Sequence, residues 1–193
     1  MSNKPWLAHY DKGVPQTIDY PKAPLFHFLE EAARKYPDHA CTIFKGAVIS
    51  YREMNEQSNA MAAALVEMGV KKGDRVGIFM PNLPQFVPAF FGILKAGGVV
   101  VAVNPTYPVE EVLTPVNDAG IEVMFTLTRF YNTLKEVRNK SNLKKIIVSN
   151  LKEALPPVTR VLYTLLREKK GGDRLHELES SDVWMQDLLK KHA

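Results

Sequence analysis

The strongest hydrophobic pattern in the chain predicts an amphipathic helix over residues 51–68. Apolar and small residues recur there three and four positions apart, which is the spacing of one helical face. The predicted buried stripe consists of Met54, Ser58, Met61, Ala62, Leu65 and Met68. Ser50 and Glu53 precede and open this stretch at the spacing of a capping box. Gly69 follows it and is predicted to end the helix.

Four apolar runs follow this helix and are predicted strands, at 75–80, 99–103, 123–127 and 145–148. The run at 99–103 contains only apolar residues, which is typical of a strand covered on both faces. Helical patterns separate the runs at 82–96, 109–117 and 130–139. We expect Asn82 to cap the first of these helices and Pro115 to kink or shorten the second.

The alternation of strands and helices defines the predicted fold class. Each strand–helix–strand step predicts a βαβ unit with a right-handed crossover. We therefore expect an α/β fold over 25–150, with a mostly parallel sheet flanked by helices. A helix over 25–35 and a hairpin that turns at Lys45 and Gly46 open this region. Residues 1–24, rich in proline and aromatic residues, are predicted to form an extended arm.

Composition and charge are those of an ordinary globular protein. The 193 residues are 46% hydrophobic and 24% charged. A net charge of +4 is too small to indicate a nucleic-acid partner. Cys41 is the single cysteine, which favours a reducing compartment. With no secretion signal and no unbroken apolar run of membrane-spanning length in the sequence, we predict a cytoplasmic protein.

Positive charge is concentrated in one segment. Residues 138–170 contain nine basic and two acidic residues, and 151–193 is predicted to be a basic, helical segment. A helix that starts near Pro157 has apolar residues at helical spacing, and Asp182 is predicted to cap the last helix. The candidate surface for an anionic membrane or a partner consists of Arg160, Leu162, Leu166, Arg167, Lys169 and Lys170. The same pattern is also typical of an ordinary surface helix, or of a dimer contact.

Local sequence motifs indicate no catalytic residue and no metal ligands. The sequence contains no P-loop, no dinucleotide-binding glycine pattern and no nucleophile elbow. The five histidines are scattered and show no metal-ligand spacing. The weak binding candidates are Asn104 and Tyr107, which follow the carboxyl end of a predicted parallel strand. They are interpreted either as contacts in a ligand crevice or as a turn with a packed tyrosine.

Three blocks of sequence, in order, resemble the acyl-adenylate-forming (AMP-binding) enzymes, and within them the long-chain fatty-acid–CoA ligases. They are 49–54 (ISYREM), 69–76 (GVKKGDRV) and 94–101 (LKAGGVVV), the last continuing into 104–107 (NPTY). The resemblance implies an N-terminal domain of α/β architecture. It also implies a parent enzyme that uses ATP and Mg to activate a fatty acid as an acyl-adenylate and then transfers the acyl group to CoA.

The family's Thr/Ser/Gly-rich phosphate loop ending in Pro-Lys has no counterpart in residues 1–193. We therefore expect the chain to be inactive alone, without bound cofactor, and to be part of a longer synthetase. The basic helical segment and the resemblance to long-chain ligases predict a cytoplasmic enzyme that meets the inner face of the membrane peripherally. An aryl- or medium-chain ligase is an alternative in the same class. A stand-alone binding or dimerisation module is an alternative in another class, and exposed apolar faces predict self-association.

Overall fold

A five-stranded parallel sheet is the central feature of the computed structural model, which describes residues 4–193. The strands in chain order are β1 Ala40–Phe44, β2 Ala47–Ser50, β3 Arg75–Phe79, β4 Val99–Ala102, β5 Val123–Leu127, β6 Lys145–Ser149 and β7 Val183–Trp184. β1 and β2 form a separate antiparallel hairpin, and the sheet order of the others is β4-β3-β5-β6-β7. Parallel pairing throughout this sheet confirms the predicted α/β class.

The described part of the chain contains seven α-helices. They are α1 Phe26–Lys35, α2 Tyr51–Glu67, α3 Phe86–Lys95, α4 Val109–Ala119, α5 Tyr131–Arg138, α6 Pro157–Leu166 and α7 Met185–Lys191. The first three residues of the predicted arm lie outside the described residues. The rest of that arm is almost entirely exposed and contains one short 3₁₀ helix, Pro5–His9. Within residues 4–193, every helix is too short or too polar to cross a bilayer.

Two apolar layers cover the two faces of the sheet. Successive residues of a strand point to opposite faces, and Met124 and Phe125 of β5 accordingly belong to different layers. The Phe125 layer includes residues of α2, α3 and α7, whereas the Met124 layer includes residues of α4 and α5. Both faces of the central strands are therefore fully covered, as parallel sheets require.

Helix α2 confirms the predicted capping box. The Ser50 hydroxyl accepts a hydrogen bond from the Glu53 N–H at 3.2 Å, and the Glu53 carboxylate accepts one from the Ser50 N–H at 2.8 Å. The predicted buried stripe is only partly right, because Ala60 and Ala64 are buried whereas Ala62 and Met68 are half-buried. Since α2 contacts α1, α3 and α7, its buried face is wider than a single stripe.

Close approach of α2 and α3 depends on one glycine. A Cβ atom at Gly92 would lie 2.8 Å from the Met61 Cβ, closer than real Cβ contacts allow. Ala89 and Ile93 on the same helix are fully buried. Because Gly92 has no side chain, the backbones of α2 and α3 can pack closely at this point.

Three local predictions about element boundaries and burial were wrong. Helix α3 begins at Phe86, not at residue 82, because Pro84 disfavours helical backbone at Leu83. Strand β4 lies at the sheet edge, and Val99 is 47% exposed, so this strand is not covered on both faces. Helix α4 is not shortened by Pro115 and continues to Ala119.

The sequence predicted that Asp182 caps the last helix, and this prediction was wrong. Asp182 instead anchors the end of the chain to the sheet. Its carboxylate accepts hydrogen bonds from the Tyr131 hydroxyl at 2.6 Å, from Arg138 at 2.7 Å and from the Ile146 N–H at 2.9 Å. The segment 151–193, which was predicted to be basic and helical, also contains strand β7, which pairs with β6. Burial raises the pKa of Asp182, but these hydrogen bonds and the Arg138 charge outweigh burial and lower it.

The Asp182→Asn substitution is expected to lower the free energy of unfolding at pH 7 by roughly 2 kcal/mol, because it weakens hydrogen bonds to a buried charge. A carboxylate with a depressed folded-state pKa stabilises above its unfolded pKa and loses that contribution as pH falls. The gap between the variant and the parent chain in urea denaturation should therefore shrink between pH 7 and pH 3. Asp187→Asn, at an exposed position in α7, is the control. Equal midpoints for Asp182→Asn and the parent at pH 7 would contradict this role.

Candidate functional site

The strand order creates a topological switch point at the carboxyl edge of the sheet. β3 and β5 are neighbours, while β4, the strand between them in sequence, lies on the outer side of β3. The connections that leave β3 and β5 therefore run in opposite directions. In open parallel sheets, ligands bind at such a switch point, outside the carboxyl ends of the strands. The segments here are 80–85 after β3, 128–130 after β5 and 150–154 after β6.

A buried polar network occupies this edge. The Gln85 amide donates to the Asn150 carbonyl oxygen at 3.0 Å, which links the segments after β3 and β6. The Asn150 amide donates to the Glu168 carboxylate at 2.9 Å and to the Asp173 carbonyl oxygen at 3.0 Å. Lys152 forms an ion pair with Glu168 at 2.8 Å. These contacts hold the segment that follows α6 against the sheet.

Asp173 is the second centre of the network and is fully buried. Arg129 donates two hydrogen bonds to its carboxylate, at 2.7 and 2.6 Å, and the Tyr163 hydroxyl donates another. The bond to Asp173 raises the pKa of Arg129 further above its ordinary value. Burial, reinforced by the hydrogen bond to Asp173, raises the pKa of Tyr163 to about 12. The tyrosine therefore remains a neutral donor over the whole physiological range.

Two polar side-chain atoms at the switch point lack partners among the described residues. They are Gln85 Oε1, beside α3, and Thr128 Oγ1, directly after β5. An unpaired buried polar atom is costly, so such atoms are normally satisfied by water or a ligand. Neither was predicted from the sequence, although both lie in segments that follow strand ends, which was a usable signal.

Asn104 and Tyr107 lie at a different place, beyond the carboxyl end of edge strand β4. The Asn104 side-chain oxygen accepts hydrogen bonds from the Thr106 N–H at 3.1 Å and hydroxyl at 2.9 Å, which fixes the turn. Tyr107 is 41% exposed and is not a packed core tyrosine. Both residues line an open cleft of about 530 Å³, together with residues of β4 and α4.

The other predicted surface lies near the opposite edge of the sheet. Leu162 and Leu166 are exposed on α6, and Arg167, Lys169 and Lys170 are exposed at and after its end. Arg160 does not join them, because its guanidinium donates to the carbonyl oxygens of Lys152 at 3.0 Å and Glu153 at 3.1 Å. The structure therefore separates the two sets of sequence-predicted residues.

The sheet order places the chain among the doubly wound α/β domains. The family model for the AMP-binding enzymes matches residues 29–189. The chain is 32% identical over 170 residues to a long-chain-fatty-acid–CoA ligase of Bacillus subtilis, a match that covers 88% of this chain and 30% of that protein. A ligase of the same name from Salmonella typhimurium is 38% identical over 79% of this chain and 28% of its own length.

Solved structures give the same answer for the fold. A benzoate CoA ligase from Burkholderia xenovorans superposes with a TM-score of 0.68 at 16% identity, over 89% of this chain and 29% of that one. A long-chain-fatty-acid–CoA ligase from Archaeoglobus fulgidus gives 0.65 at 23% identity, over 75% and 32%. The chain belongs to the AMP-binding enzyme family. It spans about 30% of the length of the curated ligases that it matches.

The Tyr163→Phe substitution tests the network around Asp173. Because the pKa of Tyr163 is higher in the folded state, its protonated hydroxyl stabilises the fold fully below pH 10. This stabilisation is lost as the pH rises through 12. Urea denaturation between pH 9 and pH 12 should therefore show a shallower loss of stability in the variant, which starts about 1 kcal/mol lower. Tyr107→Phe, outside the network, should follow the parent profile. An unchanged alkaline slope in Tyr163→Phe would contradict the assignment.

Proposed function

We propose that the chain is the N-terminal α/β part of a long-chain fatty-acid–CoA ligase. The complete enzyme would join a fatty acid to ATP, release pyrophosphate, and transfer the acyl group from the adenylate to CoA. The observation that carries this proposal is the match to ligases of that name over 88% and 79% of the chain. The same relatives disfavour a stand-alone binding module.

In this proposal the described residues form a scaffold and contribute no reacting group. The two acids at the carboxyl edge do not fit a magnesium site, because Glu168 is paired with Lys152 and Asp173 with Arg129. Within residues 4–193 there is also no cluster of three side chains suited to a metal. ATP, Mg and CoA are therefore assigned to the complete ligase, and self-association of the chain stays a prediction.

Residues 1–193 alone are expected to show no ATP–pyrophosphate exchange with oleate, because they lack a phosphate-binding loop. A longer form of the protein that includes a Thr/Ser/Gly-rich loop ending in Pro-Lys should exchange. Circular dichroism on the short form checks that it is folded. Exchange above background by the short form would refute the scaffold proposal, and a folded longer form with no exchange on any fatty acid would refute the ligase proposal.

We also propose that the cleft at Asn104 and Tyr107 contacts CoA or the acyl chain in the complete ligase. The support is its position outside the carboxyl end of β4 and the exposed tyrosine ring that lines it.

In the active longer form, Tyr107→Ala should raise the KM for either CoA or long acyl chains about fivefold, the effect of about 1 kcal/mol of lost ring contact. Tyr107→Phe should retain most of the contact. Tyr20→Ala, at an 80% exposed position in the arm, is the matched control. If Tyr107→Ala leaves both KM values and the chain-length profile unchanged, the cleft is only a connection between elements.

A further inference from the structure

Helix α6 faces the protein with its polar side and solvent with its apolar side. Its five aliphatic residues recur at helical spacing and are all more than half exposed, from 52% at Leu162 to 74% at Val158 and Leu165. Every residue of the helix is exposed or half-buried. A surface helix ordinarily buries its apolar stripe against the core, so this orientation is inverted. The apolar stripe consists of Val158, Val161, Leu162, Leu165 and Leu166.

Polar contacts hold the helix in this orientation. Arg160 binds the carbonyl oxygens of Lys152 and Glu153, and Tyr163 donates to the buried Asp173. Residues 160 and 163 are three positions apart, so they share the helix face opposite the stripe. The orientation is therefore fixed by side chains aimed at the protein and does not depend on burying the stripe.

The exposed charges of the segment that contains the stripe are of one sign. In residues 157–174 the two acids, Glu168 and Asp173, are buried and paired with Lys152 and Arg129. Every exposed charged side chain of this segment is basic, and apart from Arg160 they all lie at or beyond the end of the stripe. These are Arg167, Lys169, Lys170 and Arg174.

We propose that the apolar stripe of α6 and the basic residues after it form a docking surface for an anionic lipid bilayer. An amphipathic helix in the membrane plane buries its apolar face among the acyl chains while nearby lysines and arginines attract the headgroups. Ten residues give the helix a length of about 15 Å. The charge around the stripe complements anionic lipid, and this inference does not rest on the proposed ligase activity.

Vesicle flotation with the 193-residue chain tests this surface. The chain is expected to bind vesicles of phosphatidylglycerol and phosphatidylcholine at low salt, and to bind vesicles of phosphatidylcholine alone at least tenfold more weakly. Leu162→Glu/Leu166→Glu should abolish binding. Lys169→Gln/Lys170→Gln should weaken it roughly fivefold per lysine, following the usual contribution of a basic residue near an anionic surface.

The matched control is Ile43→Glu/Val48→Glu, which places the same charges at exposed apolar positions on the hairpin and should bind as the parent does. A second readout uses Leu165→Cys in a Cys41→Ser background, labelled with a polarity-sensitive dye. Its emission should shift to the blue with anionic vesicles. The proposal is overturned if no vesicle binds at low salt, or if Leu162→Glu/Leu166→Glu binds normally. It is also overturned if Leu162→Glu/Leu166→Glu keeps its vesicle binding and loses only self-association, measured by sedimentation.

Discussion

The need to cover both faces of a parallel sheet determines the rest of this structure. Adjacent residues such as Met124 and Phe125 point to opposite faces and are both fully buried, so helices must pack on each side. α2, α3 and α7 cover one face, and α4 and α5 cover the other. Once the faces are closed, the carboxyl edge is where polar side chains can meet, and the buried network of Asn150 and Asp173 lies there.

The buried network determines which charged side chains remain on the surface near α6. Glu168 and Asp173 are the two acids of residues 157–174, and each is buried and paired with a basic residue. The positive residues around them are therefore left on the surface without acidic neighbours of their own segment. The net charge of the whole protein is small, but the surface at the end of α6 is basic because the acids of that segment are buried and paired.

Elements governed by local periodicity were predictable from sequence, and elements governed by distant partners were not. Strands β1 to β6, helix α2 and its capping box follow from spacing and from Ser50 and Glu53, which are near neighbours in the chain, whereas β7 was not predicted. Asp182 was misjudged because its partners Tyr131 and Arg138 are more than forty residues away. The edge position of β4 depends on strand order, which no local pattern encodes. For the candidate site, the sequence indicated Asn104 and Tyr107 at a strand end, but not Gln85 or Thr128.

Because α6 is inverted, the residues that attach it to the protein are different from the residues that it exposes to solvent. Arg160 and Tyr163 attach it to the protein, whereas Leu162 and Leu165 lie on the opposite side and are more than half exposed. Substitutions on the displayed side can accumulate with little effect on folding, since exposed positions away from such anchors change stability only slightly. Natural variation or engineering can therefore change the surface that this helix presents to solvent while leaving the scaffold intact.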